Sequence, residues 1–180
     1  MAVTGRSAVP AFLGMVMNEK EFWSIVDAAC RSAGTDAEAR VGALSHELSP
    51  LDTLALQGFQ DRYDEMIHRS NRWDLWGAAY LMNGGCSDDG FRYFCDWLIS
   101  EGRATFELAL SDPDSLADLP RQDYFELESY AYVVLELFEA KGAGELVRHF
   151  GNELTMPAGE EWSEDDLPAL YPRLAARYGG

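Results

Sequence analysis

Large apolar residues recur three or four positions apart along most of the chain, which is the spacing of amphipathic helices. In the first such segment, Phe22, Trp23, Val26 and Ala29 follow Asn18 and Glu21. The pair Asn18 and Glu21 is typical of a capping box, and Gly34 is a typical helix stop. The pattern predicts further helices over residues 36–48, 51–70, 73–82, 88–100, 103–110, 122–140 and 145–150, and a short one after Ser163. Ser49 and Pro50 are expected to begin the third helix.

The chain shows neither the strict alternation of a strand nor an internal repeat. We therefore expect an all-α fold, a single-domain irregular helical bundle of about seven to eight helices. The helix-start signal after Met17 divides the chain in two. Residues 1–16 are expected to be a disordered N-terminal extension, and residues 17–180 a single helical domain.

The charge balance excludes one large class of partner. Lys and Arg number 14 against 31 Asp and Glu, which gives a net charge of −17. Because nucleic-acid affinity depends on neutralising phosphates with basic groups, we expect no nucleic-acid partner. The acidity suits either an inhibitor that binds a basic protein or, more simply, a solubilising surface. The acidic residues are scattered along the chain, and that distribution favours the surface interpretation.

The cysteine residues and the hydropathy of the chain indicate the compartment in which the protein is expected. Cys30, Cys86 and Cys95 are an odd number without C-x-x-C spacing, so neither a disulfide framework nor a cysteine zinc site is expected. No apolar run approaches the roughly 18 residues of a membrane span. We therefore expect a cytoplasmic protein that does not associate with membranes.

One segment, residues 73–90, is distinctive. Trp73, Trp76 and Tyr80 share a helix face, and the string Asn83-Gly84-Gly85-Cys86-Ser87-Asp88-Asp89-Gly90 follows. Together with Phe22-Trp23, Trp97-Leu98-Ile99 and Asp112-Pro113-Asp114-Ser115-Leu116-Ala117, this segment resembles the DUF4240 family of bacterial proteins of unknown function. The resemblance covers about residues 17–140. It implies kinship and a shared site, and it assigns no catalytic residue.

The glycine-rich loop allows four interpretations. An anion site at the following helix is disfavoured by the charges of Asp88 and Asp89. A nucleophilic Cys86 needs a base, and none of His46, His68 and His149 has a spacing that commits it to this role. A structural turn explains every residue type, with Ser87 as the helix cap and Cys86 as a small buried filler. In a binding pocket, polar groups would meet large aromatic rings, including Trp97. The candidate ligand-binding residues are Trp73, Asp74, Trp76, Asn83, Cys86, Asp88, Asp89 and Arg92.

The chain lacks the nucleophile-elbow, phosphate-loop, zinc-protease and dinucleotide motifs. No metal site and no cofactor are expected. These observations favour a module that binds a small molecule or a protein, centred on residues 73–90. The alternatives are a small hydrolase- or transferase-like enzyme that uses Cys86 or the Asp88–Asp89 pair, and an acidic immunity-type inhibitor of a basic protein.

Overall fold

The computed structural model describes residues 17–142, 144–148 and 156–179. These residues form nine α-helices and, apart from an isolated bridge between Arg72 and Ala158, no β-structure. The helices are α1 (Glu19–Ala33), α2 (Ala37–Leu48), α3 (Thr53–Ser70), α4 (Trp73–Asn83), α5 (Asp88–Ser100), α6 (Arg103–Ser111), α7 (Glu128–Ala140), α8 (Leu167–Leu170) and α9 (Pro172–Tyr178). The all-α prediction is confirmed, and α8 has only four residues. Residues 1–16, expected to be a disordered extension, lie outside the described residues.

Most helix ends follow the local chemistry of the sequence. Asn18 and Glu21 cap α1 reciprocally, each side chain accepting a hydrogen bond of 2.9 Å from the other residue's backbone N–H. Gly34 ends this helix with a φ of 65°, a conformation that costs a glycine little. Asp36 caps α2 and Ser87 caps α5, each by accepting a hydrogen bond from a backbone N–H of the first turn. Short-range signals were sufficient for these boundaries.

The start of α3 corrects the sequence prediction. The helix begins at Thr53, and the Asp52 carboxylate caps it by accepting a hydrogen bond of 2.8 Å from the Ala55 N–H. Ser49 instead belongs to the end of α2, where its hydroxyl donates to the carbonyl of His46. Asp52 and Ser49 are both good capping residues, so the sequence offered two possible starts for this helix.

Two other predicted helical segments are wrong. Residues 122–127 are not helical, because the N–H groups of Phe125 and Leu127 donate to the side chain of Asn83 and the carbonyl of Tyr93 instead of to a preceding turn. Helix α7 therefore begins at Glu128 and not at Gln122. Residues 144–148 are also not helical, and the remainder of the segment predicted at 145–150 lies outside the described residues.

Helix α5 lies at the centre of the fold and contacts α1, α2, α3, α4, α6 and α7. From Phe94 to Ser100 every residue of this helix is buried, polar residues included. Trp97 lies in the core against Phe94 and Phe125, with ring centroids 5.3 Å and 5.1 Å apart. Any polar group on this stretch of α5 must find its partners inside the protein.

The C-terminal helices pack against α4. The Asp114 carboxylate accepts hydrogen bonds from the backbone N–H groups of Arg173 and Leu174, and Tyr171 donates to the carbonyl of Asp74 at 2.9 Å. At Gly77 the contact is so close that a Cβ atom would lie 2.8 Å from the Tyr171 ring. Within the described residues, none of the helices has both the length and the apolar character that crossing a membrane requires.

Candidate functional site

The aromatic helix and the glycine turn fold together, as the sequence suggested. Trp76 stacks between Trp73 and Phe91, with ring centroids 5.3 Å and 4.8 Å apart. Its indole N–H donates to the carbonyl of Cys86 at 3.1 Å. This bond ties the middle of α4 to the turn that precedes α5.

A third tryptophan, which comes from the C-terminal segment, covers the aromatic stripe. Trp162 meets Trp73 and Tyr80 edge-on, and its indole N–H donates to the Trp73 carbonyl at 2.7 Å. Trp97, which the sequence placed beside these rings, is completely buried in the core. Much of the aromatic surface is therefore packed against the protein's own chain.

The glycine turn has a structural explanation. Gly84 ends α4 in the left-handed conformation, with a φ of 67°. The Ser87 hydroxyl accepts a hydrogen bond of 3.1 Å from the Gly90 N–H, so it caps α5. Asp88 and Asp89 are exposed in the first turn, where their charges favour the helix dipole.

Cys86 lacks the properties of a nucleophile. Its thiol is half-buried, with the sulfur 3.5 Å from the Ser87 carbonyl oxygen. Burial, with a smaller contribution from Glu126, raises the pKa of the Cys86 thiol to about 12. The thiolate, which is the reactive form, is therefore scarce at neutral pH. His46 and His68 are exposed, and His149 lies outside the described residues.

Four of the polar candidates lie in three different recesses, and Cys86 and Asp88 line none of these three. Asp74 lines a recess of about 480 Å³ together with Trp162, and its carboxylate pairs with Arg72. Asn83 lines a second recess, of about 470 Å³, and its side-chain oxygen accepts a hydrogen bond from the Phe125 N–H at 3.0 Å. Asp89 and Arg92 line a third, of about 270 Å³. The eight candidates are therefore not brought to one place. No group of His, Cys, Asp and Glu among the described residues is arranged to hold a metal ion.

The third recess combines the most charged groups, and we call it the charged groove. Two matched helix faces line it, each with residues at positions i, i+3, i+4 and i+7. The lining residues are Asp89, Arg92, Tyr93 and Asp96 from α5, Glu128, Ala131, Tyr132 and Leu135 from α7, and Arg148 from the segment after α7. Leu127 fixes the two helices relative to each other, because its N–H donates to the Tyr93 carbonyl at 3.0 Å.

A buried carboxylate forms the inner end of the charged groove. Asp96 is 1% exposed and accepts a hydrogen bond of 2.6 Å from the Tyr63 hydroxyl of α3. Arg92 approaches both oxygens of the same carboxylate, at 3.3 Å and 3.4 Å. Burial raises the pKa of Asp96 to about 6, although Arg92, Tyr63 and Arg148 all act to lower it. Functional sites and structural ion-pair networks both contain carboxyl groups with a raised pKa, so its position beside a recess makes Asp96 a candidate functional residue.

A second carboxylate–guanidinium pair lies beside the first. Arg148 approaches the buried carboxylate of Asp64 at 3.3 Å, and Gln60 donates to the same oxygen at 2.8 Å. The Nε–H of Arg148 is buried and has no hydrogen-bond partner in the part of the chain that the structure describes. Sequence reasoning missed Tyr63, Asp64, Asp96 and Arg148, and only Asp89 and Arg92 of the original candidates belong to this groove.

Glu128 lies at the outer end of the charged groove, next to two tyrosine side chains. The Glu128 carboxylate accepts a hydrogen bond of 3.0 Å from the Tyr132 hydroxyl. Hydrogen bonding to Glu128 raises the pKa of both Tyr93 and Tyr132. Both rings therefore stay neutral phenols at physiological pH, and they form an aromatic margin around an opening that is otherwise acidic.

The fold and the charged groove define an all-helical domain with a buried ionic network open to solvent on one side. A family model described as a protein of unknown function, DUF4240, matches residues 17–140, and the chain belongs to this family. The match includes α1 to α7 and all groove residues except Arg148. Comparison with curated proteins and with solved structures gave no match.

Proposed function

We propose that this domain is a ligand-binding module, and that the charged groove between α5 and α7 is its ligand site. The observation that carries the proposal is the Asp96–Arg92–Tyr63 network at the inner end of the recess. The proposal keeps the binding role expected from the sequence and moves its centre from the aromatic helix to the face of α5 that follows the glycine turn.

The ion pairs of the charged groove are longer than two of the pairs elsewhere in the fold and similar to the exposed Arg103–Glu19 pair, which measures 3.2 Å. Arg69 holds Glu107 with two contacts of 2.9 Å, and Arg40 reaches Glu101 at 2.5 Å. In the charged groove, by contrast, Arg92 and its carboxylate are separated by 3.3 Å or more. Good charge-assisted hydrogen bonds measure about 2.7–2.9 Å. The groove guanidinium groups are therefore held by longer contacts than Arg69 and Arg40, and this leaves room for a ligand acceptor in the proposed site.

The size and lining of the recess also support a small ligand. A volume of about 270 Å³ is slightly below the usual range for drug-sized molecules, and Ala131, Leu135 and two tyrosine rings supply apolar contact beside the charges. Enzymatic use of Cys86 receives no such support, since its pKa of about 12 keeps the thiol protonated.

A thermal-shift screen of small metabolites tests the proposal. A bound compound at 100 times its Kd stabilises the fold by about 2.7 kcal/mol. We expect at least one compound to raise the Tm of the wild-type chain and of Arg103→Gln, an exposed arginine outside the groove. The shift should be reduced in Arg92→Gln and in Tyr132→Ala, whose side chain is 45% exposed, so its removal should disturb the core little.

Two results would overturn this proposal. An undiminished shift in both groove variants would place the ligand elsewhere. Turnover of a compound by the purified protein, with loss of activity in Asp88→Ala, would make the domain an enzyme.

A further inference from the structure

Residues 156–179 cover one face of α4, and we call them the strap. The Trp73 N–H donates to the Ala158 carbonyl at 2.9 Å, and Trp162 packs edge-on against the rings of Trp73 and Tyr80. We propose that the strap opens as a unit while α1 to α7 stay folded, so that it controls access to this aromatic face. The strap is separate from the proposed ligand site, because none of its residues lines the charged groove.

Short helices make the strap a cooperative unit. Its helices α8 and α9 have four and seven residues, and helices of this length do not persist alone in water. They are held by partners outside the strap. Tyr171 donates to the Asp74 carbonyl, and the Asp114 carboxylate accepts hydrogen bonds from two backbone N–H groups of α9. Loss of these contacts unfolds the strap, so docking and helix formation occur together.

The strap buries far fewer side chains than the centre of the fold does. Leu167, Tyr171 and Leu174 are its only buried residues, whereas nine of the thirteen residues of α5 are buried. The strap also leaves a recess of about 480 Å³ between itself and Asp74. Because hydrophobic stabilisation grows with the apolar area removed from water, opening the strap should require less free energy than unfolding the core.

Electrostatic repulsion acts in the same direction. The strap contains five acidic residues and two arginines, and the whole chain carries a net charge of −17. Charges of the same sign on the strap and on the remaining helices repel each other, and this repulsion opposes closure. All five acidic side chains are exposed, so the repulsion is strongest at low ionic strength.

The first turn of α4 contains a direct reporter of strap opening. The N–H groups at the start of a helix have no acceptor within that helix. Among the described residues, the acceptor for the Trp73 N–H is the Ala158 carbonyl of the strap. Trp162 donates its indole N–H to the Trp73 carbonyl at 2.7 Å, so the backbone of Trp73 loses both contacts when the strap opens. Opening therefore exposes the Trp73 amide hydrogen together with the aromatic face.

Hydrogen exchange of the ¹⁵N-labelled full chain, followed by NMR, tests the proposal. The measurement is made under conditions in which closing is faster than chemical exchange, so that each rate reports an opening equilibrium. The backbone N–H groups of Tyr171 and Ala175 are hydrogen-bonded inside the strap, and they serve as its reporters. We expect these two amides and that of Trp73 to share one protection factor, at least about a hundredfold lower than that of the buried residues of α5.

Two variants separate local opening from global unfolding. Val26→Ala removes the equivalent of two buried methylene groups from α1, so exchange in α5 should become at least about tenfold faster. Exchange in the strap should stay unchanged, because the closed and the open strap both contain the weakened core. Trp162→Ala weakens only the closed state, so exchange in the strap and in α5 should accelerate by the same factor.

Three results would overturn the proposal. Equal protection of the strap and α5 in the wild type would show that the strap opens only when the whole domain unfolds. Faster exchange of the strap in Val26→Ala would show the same. Rapid exchange of Tyr171 and Ala175, with Trp73 as protected as α5, would show that the C-terminal helices fray without uncovering α4.

Discussion

Replacing Asp96 by asparagine should change the pH dependence of stability in a calculable way. Burial raises the pKa of Asp96 from 3.8 to about 6 in the folded protein. The folded state therefore binds this proton more tightly than the unfolded state does. Stability from protonated Asp96 is present below pH 4 and is lost as the pH rises through about 6. At 1.36 kcal/mol for each pKa unit, the total loss is about 3 kcal/mol, and about half of it falls between pH 5 and pH 8.

The side-chain amide of the Asp96→Asn variant does not titrate between pH 5 and pH 8, so the variant lacks this pH-dependent contribution to stability. The pKa of about 6 already includes the attraction of Arg92, and protonated Asp96 leaves this guanidinium group without a counter-ion just as asparagine does, so only the pH-independent difference between an amide and a carboxyl group remains. The informative quantity is therefore the difference between the unfolding free energies of Asp96→Asn and the wild type as a function of pH. We expect this difference to move in favour of the variant by about 1.5 kcal/mol between pH 5 and pH 8.

Urea unfolding, followed by tryptophan fluorescence and circular dichroism, measures this difference. Leu170→Ala, an exposed substitution without a titrating group, should run parallel to the wild type at every pH. Tyr63→Phe removes a hydrogen bond that lowers the pKa of Asp96, so it should move the loss of stability to higher pH. A pH-independent difference between Asp96→Asn and the wild type would refute the account of the inner end of the groove.

Four further predictions concern other parts of the fold. Iodoacetamide should modify Cys86 slowly at pH 7, and the rate of modification should keep rising up to at least pH 10. A rate that levels off by pH 8 would contradict a pKa of about 12. Gly42→Ala in α2, where a Cβ meets nothing within 4 Å, should stabilise the protein by about 0.5–1 kcal/mol. Gly77→Ala should instead lower stability by about 1–2 kcal/mol, because overpacking outweighs helix propensity. Arg40→Met should lower the free energy of unfolding by about 3–5 kcal/mol, because it leaves the buried charge of Glu101 unpaired. The double variant Arg40→Met and Glu101→Leu should lower it clearly less, because neither charge remains.

The helices were largely predictable because their signals are local. The capping box at Asn18, the αL glycine at Gly84 and the serine cap at Ser87 each act within one helical turn. Residues 122–127 were mispredicted because their backbone partners, Asn83 and Tyr93, are about 30 to 40 positions away in sequence. No periodicity within a short window reveals such long-range hydrogen bonds.

The candidate site was only partly predictable. Arg92 and Asp96 are visible in the sequence as an i, i+4 pair, which on an exposed helix is an ordinary surface ion pair. Here α5 is buried on nearly all sides, so the same pair lies at the inner end of a recess. Tyr63 fits the apolar stripe of α3, and nothing in its spacing indicates that its hydroxyl reaches Asp96. Burial and the packing of distant helices, not local pattern, create the charged groove.

The central claim is that ligands bind between α5 and α7. A fragment screen by NMR, with every amide signal assigned, tests this claim most directly because it assumes no ligand chemistry. The account predicts that hits cluster on residues 89–96 and 128–135 and that Arg92→Gln reduces their affinity. Hits concentrated on Trp73, Trp162 and the C-terminal helices, with the charged groove silent, would contradict it.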